Sequence, residues 1–431
     1  MINQVNMAEN KNWSSGKILV FYFLFSYYFL YAFPQVLDGL IPSLDFVLEK
    51  YYQVQENLVS FIGDAVFKLG YHEPNYNSGS GDQPFFYVKL LVLIVVSVIV
   101  ALTWFSIKRS SKVAERLYNF LRVYLRYFLA VILLSYGIGK IFPSQMPELT
   151  PIQLTQPYGQ FSPMGIAWAF MGTSAPFQIF TGVLEVVAAL LLFFRRTTTL
   201  GALLALVVLG GVVAFNFCYD IPVKINSTHY FLTAIFLLLH ERKKLSAIFF
   251  NKRVAIKSEE PLFAFNSKYF KVGRVVKYLY ILYVLYLFTS DTANFYYKEV
   301  KQRSKHPLFG VYDVNLFIRN NDTIPLLKGD RTVWNKVVMS YPNILTVRDM
   351  NDSLHRFPVS RFDSIQHIIS IAIMPGDSSV LSYSKAPDGS LTLSGLLNGD
   401  TVLLKANYIP RNSFLVVNRG FHWISERPYN R

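Results

Sequence analysis

Long uncharged runs broken by short basic clusters fill the first two thirds of the chain. A helix needs about 20 apolar residues to cross a bilayer core. Runs that meet or approach this length are 17–37, 85–107, 123–142, 175–194, 198–217, 227–240 and 275–292. The pattern therefore predicts a membrane all-α bundle of seven transmembrane helices. The sixth is the shortest and is stopped at once by Glu241-Arg242-Lys243-Lys244. The first run is too long for a signal-peptide core and meets no small-x-small cleavage site before Pro34, so it reads as an uncleaved anchor. Between the first two runs, residues 40–69 have the apolar spacing of amphipathic helices at an interface. A polar connector, 75–82, follows.

From about residue 302 the period changes. Stretches 310–318, 366–373, 390–396, 401–408 and 413–417 alternate or are β-branched. Turn signals separate them: Asn320-Asn321-Asp322, Pro375-Gly376-Asp377, Pro387-Asp388-Gly389 and Asn398-Gly399-Asp400. Short strands with frequent turns predict a C-terminal all-β domain, a small antiparallel barrel or a sandwich. A lipocalin-like barrel of about eight strands suits the length. Residues 418–431 are rich in groups that anchor interfaces, notably Arg419, Phe421, His422, Trp423 and Glu426. They read either as a docking surface for a partner or as a closing strand with a tail.

Charge supplies the orientation. Lys11 and Lys17 precede the first span. Lys108, Arg109, Lys112, Arg116 and Arg122 lie between the second and third, Arg195 and Arg196 between the fourth and fifth, and a basic stretch, 242–277, between the sixth and seventh. The alternate loops differ: 38–83 is net acidic and 148–174 has no Lys or Arg. Basic loops stay in the cytoplasm, so the N-terminus is expected inside and the C-terminal domain outside, in the periplasm of a bacterial inner membrane. The composition agrees: 52% of the 431 residues are hydrophobic and only 16% are charged, against about 25% charged in an ordinary soluble domain. The net charge of +15 is accounted for by these loops, with no basic stripe of interleaved aromatics for nucleic acid. The single cysteine, Cys218, allows no internal disulfide or zinc site and is expected to pack as a small apolar residue. His422 has no second ligand at metal spacing, so no metal is expected.

Ionisable groups inside a membrane are costly and face the bundle interior. Lys140 closes the third span, and Glu185 lies roughly 15 Å down the fourth. Asn216, Tyr219, Asp220 and Lys224 form the turn between the fifth and sixth spans, and His229 opens the sixth. Two readings stand: a polar pocket open to the outer leaflet, with Glu185 as its titrating or ligand-binding carboxylate, or a buried Lys–Glu or Lys–Asp pair that fixes helix packing. The loop 157–165, uncharged and rich in Gly and Pro, fits either a re-entrant segment over such a pocket or an ordinary interfacial loop. Gly201, Ala205, Gly210 and Gly211 permit close helix approach on the fifth span.

Hydrolase and nucleotide-binding signatures are missing from the sequence. Residues 125–245 resemble the DoxX-like family of small bacterial membrane proteins. The likeness is carried by Tyr136-Gly-Ile-Gly-Lys140, Phe180-Thr-Gly-Val-Leu-Glu185, the run 191–198 and the turn 216–224. The additions to that plan are two N-terminal spans, a seventh span and the β domain. The chain then divides into two helices with an outer loop (1–122), a DoxX-like four-helix core (123–245), a basic connector with the last span (246–297) and the β domain (298–431). The resemblance implies a helical bundle and, for some relatives, a link to quinone reduction, while others act in protein handling. Three readings follow: an accessory or binding protein whose bundle takes a small lipophilic molecule or a protein partner and whose β domain binds a ligand or partner in the periplasm, a quinone-linked oxidoreductase subunit, or a small-molecule transporter. Against the last, no internal repeat is visible.

Overall fold

The computed structural model describes residues 13–37, 44–70, 74–250, 267–374 and 377–430. Lys11, the loop positions 38–43, the connector 251–266 and the turn signal at Pro375-Gly376 lie outside them. Two compact units result, one of residues 1–141 with 180–290, the other of 142–179 with 291–431.

The first unit is helical. It contains α1 (Ser15–Leu37), α2 (Asp45–Phe67), α3 (Pro84–Ile107) and α4 (Ser111–Ile141). Residues 142–179 belong to the second unit and contribute α5 (Pro151–Leu154), α6 (Pro163–Thr173) and the start of α7 (Ala175–Phe193). The bundle continues with α8 (Thr198–Cys218), α9 (Lys224–His240), α10 (Arg242–Phe249) and α11 (Ser267–Phe295). Among the described residues six helices are long and apolar enough to span a bilayer: α1, α3, α4, α7, α8 and the run Lys271–Arg303 that carries α11. The chain is thus a multi-pass membrane protein. The seventh expected span, α9, is a helix of 17 residues, about 25 Å long, and falls short of that standard. Only 11% of the apolar window of α3 is buried within the protein; lipid is the medium that can cover such a helix.

The bundle ends differ in chemistry. At one end the backbone N–H of Trp13 donates to Ser111 Oγ, and the Tyr22 hydroxyl donates to the carbonyl of Lys108. Arg122 and Tyr118 both meet His240 at the close of α9, and Arg126 donates to Thr198 Oγ1. Lys277 of α11 stands over the ring of Phe194. The basic loops after α3 and α7 therefore share one end with the close of α9. At the other, the loop before α3 meets the α8–α9 turn, with the Gly81 N–H donating to the Pro222 carbonyl. The amphipathic segment expected in 40–69 is α2, which packs Val59 against Phe85 and Val88 of α3 while Phe46, Val54 and Phe61 remain exposed.

The second unit contains a closed antiparallel barrel. Its strands are β1 (Gly310–Arg319), β2 (Asp322–Thr323), β3 (Trp334–Tyr341), β4 (Ile344–Asp349), β5 (Leu354–Asp363), β6 (Ile368–Met374), β7 (Asp377–Lys385), β8 (Leu391–Leu397) and β9 (Asp400–Ile409). Each pairs with its neighbour in sequence, except that β2 only extends the β1 hairpin, and β1 closes the ring by pairing with both β3 and β9. Of the barrel and sandwich left open above, the barrel forms. Alternate residues point inward (Leu391 and Leu393 of β8, Val402, Leu404 and Ala406 of β9), and with Tyr312, Phe317 and Trp334 they build the core. Eight strands in the ring leave an interior that side chains can fill. The Asn398-Gly399 signal makes the β8–β9 turn, both residues taking positive φ, as a two-residue hairpin requires.

The expected strand at 413–417 does not form. Helical turns occupy Arg411–Ser413 and Leu415–Asn418. The β-branched pair Val416-Val417 has the propensity, but β9 has already closed the ring, and a closed barrel offers no free edge to pair with. Nor do residues 418–430 contribute a strand.

Candidate functional site

The strongest feature of the bundle is an ion pair. Lys140 Nζ lies 2.8 Å from each carboxylate oxygen of Glu185. Both residues are buried, 7% and 2% exposed. Two glycines make the approach possible. A Cβ on Gly137 would stand 2.8 Å from the Gly182 carbonyl oxygen, and one on Gly182 would stand 2.6 Å from that of Gly137. Each glycine precedes its charged residue by three positions, so the α4–α7 crossing brings the ammonium and the carboxylate together. Tyr136, one turn before Lys140, presents its ring 5.8 Å from Nζ and approaches Tyr230 at 6.5 Å between centroids.

The residues of the α8–α9 turn form a separate cluster. The Asp82 carboxylate accepts the backbone N–H groups of Lys224 at 2.7 Å and Ile225 at 3.0 Å, capping the N-terminus of α9. Lys224 Nζ is 2.8 Å from Asp220, whose side chain is 84% exposed, so this pair adds little stability. Asp220 takes a left-handed φ of 50°. Asn216 is buried, its amide nitrogen without a hydrogen bond among the described residues. Tyr219 packs on Phe215.

His229 faces α1. Its Nδ1 is 2.7 Å from the Ile225 carbonyl, which can only accept, so Nδ1 carries the proton. Nε2 then accepts from the Tyr27 hydroxyl at 2.6 Å. Tyr31 stacks on the imidazole at 4.2 Å and donates to Asn226 Oδ1. Among the described residues neither Lys140 nor Glu185 hydrogen-bonds to Asn216, Tyr219, Asp220, Lys224 or His229. The Lys140–Glu185 pair thus stands apart from the other five candidate residues, of which only Asp220 and Lys224 are paired with each other.

Reading the sequence for charge in the spans missed Asp82, Tyr27, Tyr31 and Asn226. The available signal was Tyr27 and Tyr31, one helical turn apart in an otherwise apolar run. Cys218, the last residue of α8, is exposed, contrary to the expectation of a packed thiol. Among the described residues no group of three or more His, Cys, Asp or Glu is placed to hold a metal ion.

In the second unit, the loop 157–165 forms a 3₁₀ turn, Tyr158–Gln160, and the capped start of α6, where Ser162 Oγ accepts the Gly165 N–H. The tail residues Phe421 and Trp423 are 83% and 88% exposed. Arg419 meets His422 at 2.9 Å and stands over Tyr429, while Glu426 is exposed.

No protein-family model matches the chain, and no solved structure matches it. Over 125 residues it is 36% identical to the uncharacterized protein YwoB of Bacillus subtilis (strain 168), a match that takes in 29% of this chain and 79% of the relative. With that identity over most of the relative's length, the chain belongs to the same family as YwoB.

Proposed function

We propose that the chain is a DoxX-like accessory protein of the bacterial inner membrane. Its bundle is a scaffold, and its barrel works in the periplasm by binding a ligand or a protein partner. The observation that carries the scaffold reading is the closed Lys140–Glu185 pair. Both carboxylate oxygens are taken by one ammonium, and at the Gly137–Gly182 crossing the two helix backbones lie in close contact. A buried pair of this kind fixes helix register, and losing either member strands a charge in the bundle interior.

The topology within this proposal has seven spans. Although short, α9 runs from the Asp82 end of the bundle to the Arg122 end, from one bundle face to the other. The basic loops at one end are the cytoplasmic ones. α11 starts at that end, where Lys277 meets Phe194, so the chain after it emerges outside.

The competing reading is a quinone-linked redox subunit. Titration of the detergent-solubilised protein with a short-chain benzoquinone separates the two. The scaffold reading expects no saturable shift in melting temperature and no stoichiometric quinone in an organic extract. A saturable shift that disappears in a folded Glu185→Gln variant would transfer the assignment to redox chemistry.

A further inference from the structure

A cavity of about 130 Å³ opens in the second unit, far above the roughly 10–15 Å³ that one water needs. Its charged lining consists of Lys301, Arg303 and Arg411 against a single carboxylate, Glu148. Glu148 is shared: Arg411 Nη2 lies 3.4 Å from it and Lys301 Nζ 3.9 Å. Arg303 has no carboxylate partner among the described residues and stands instead over the Tyr341 ring, 4.8 Å from its centroid. Ser340, its Oγ accepting the Ile152 N–H, keeps its own proton to donate into the space. Three cations facing one carboxylate, with a hydroxyl and a planar guanidinium available, are the chemistry of a site for a phosphate group.

The location narrows the source. Lys301 and Arg303 end the helical run Lys271–Arg303, which at 33 residues is about 50 Å long and outreaches a hydrocarbon core of about 30 Å. Phe295, Tyr296 and Tyr297 precede them, and Tyr296 meets Phe142, which directly follows α4, at 6.4 Å. Aromatic residues gather at the membrane–water boundary, so cations one turn further on stand at headgroup depth. We propose that this basic collar binds the phosphate of an anionic phospholipid headgroup. The inference rests on the multi-pass architecture and is independent of the scaffold reading.

Binding to the full-length detergent-solubilised protein is measured with two probes, dihexanoyl phosphatidylglycerol and inorganic phosphate. Saturable binding of the lipid is expected, weakened about tenfold in Arg303→Gln, which removes a cation that holds no other acid. Glu148→Gln removes the competing carboxylate and is expected to tighten binding, an effect that loss of fold cannot imitate. Weaker binding of inorganic phosphate assigns the site to the lipid, whereas equal binding keeps the phosphate chemistry and makes the free ion the ligand. Absence of saturable binding to either probe, or equal affinities in wild type and both variants, would overturn the proposal and leave the cluster as a structural ion network.

Discussion

At the scale of single residues, the Lys140–Glu185 pair converts a cost into a constraint. Each charge alone at that depth would be several kcal/mol unfavourable, and together they are neutral only at one helix register. Glu185→Gln is therefore expected to destabilise the bundle by about 3–5 kcal/mol, read as loss of the folded fraction in a detergent melt. The double variant Lys140→Met with Glu185→Leu should recover most of that loss, since two apolar side chains leave no orphan. Recovery marks a structural pair; a stable single variant with an altered ligand response marks a functional one. The two charged residues were legible in the sequence because charge inside an apolar run is conspicuous. Gly182 was not, since a glycine in a helix acquires its meaning only from the carbonyl it approaches, and no local pattern carries that information.

At the scale of elements, two interactions between segments distant in sequence decide local stability. Asp82 caps α9 from 142 positions away. Asp82→Ala should cost about 1–2 kcal/mol and free the start of α9, measurable as faster backbone hydrogen exchange at Lys224 and Ile225. In the barrel, Asp349 is wholly buried. Burial pushes its carboxyl up, but the His355 ring at 3.0 Å and the N–H groups of Ser353 and Asn351 outweigh this and hold it below the usual range. A lowered folded value means stability that is present above the unfolded value of about 3.9 and is lost as pH falls through the folded one. Acid should therefore lower the barrel's melting temperature below about pH 4, and Asp349→Asn should flatten that dependence, converging on wild type at the acid end. A variant whose slope matches wild type would remove Asp349 from the account. The turns of the barrel were readable from Asn-Gly and Asp-Gly pairs, and ring closure was not, because the β1–β9 pairing joins strands at opposite ends of the domain.

At the scale of the whole molecule, orientation rests on a repeated asymmetry. Basic loops after α3 and α7 share one end of the bundle with His240 at the close of α9, while the loop before α3 and the α8–α9 turn, which carry Asp82 and Asp220, meet at the other. The sequence displayed this clearly, since each loop votes independently. It was less able to settle α9, whose 17 residues fall below the length of an unambiguous span and whose role depends on which neighbours meet its two ends. The native Cys218 offers a direct test, as it is exposed in the last turn of α8. In the proposed orientation, with the N-terminus inside, α1, α4 and α8 would run outward and Cys218 would face the periplasm. A membrane-impermeant maleimide added to intact spheroplasts should label it. In a Cys218→Ser background, Arg196→Cys in the loop between α7 and α8 should label only after lysis. The reverse pattern would place the basic loops outside, against the positive-inside rule, and would turn the barrel toward the cytosol. An α9 that fails to cross would instead leave Cys218 labelled but bring a cysteine at Arg242 to the same face, so labelling of Arg242→Cys from outside separates six spans from seven.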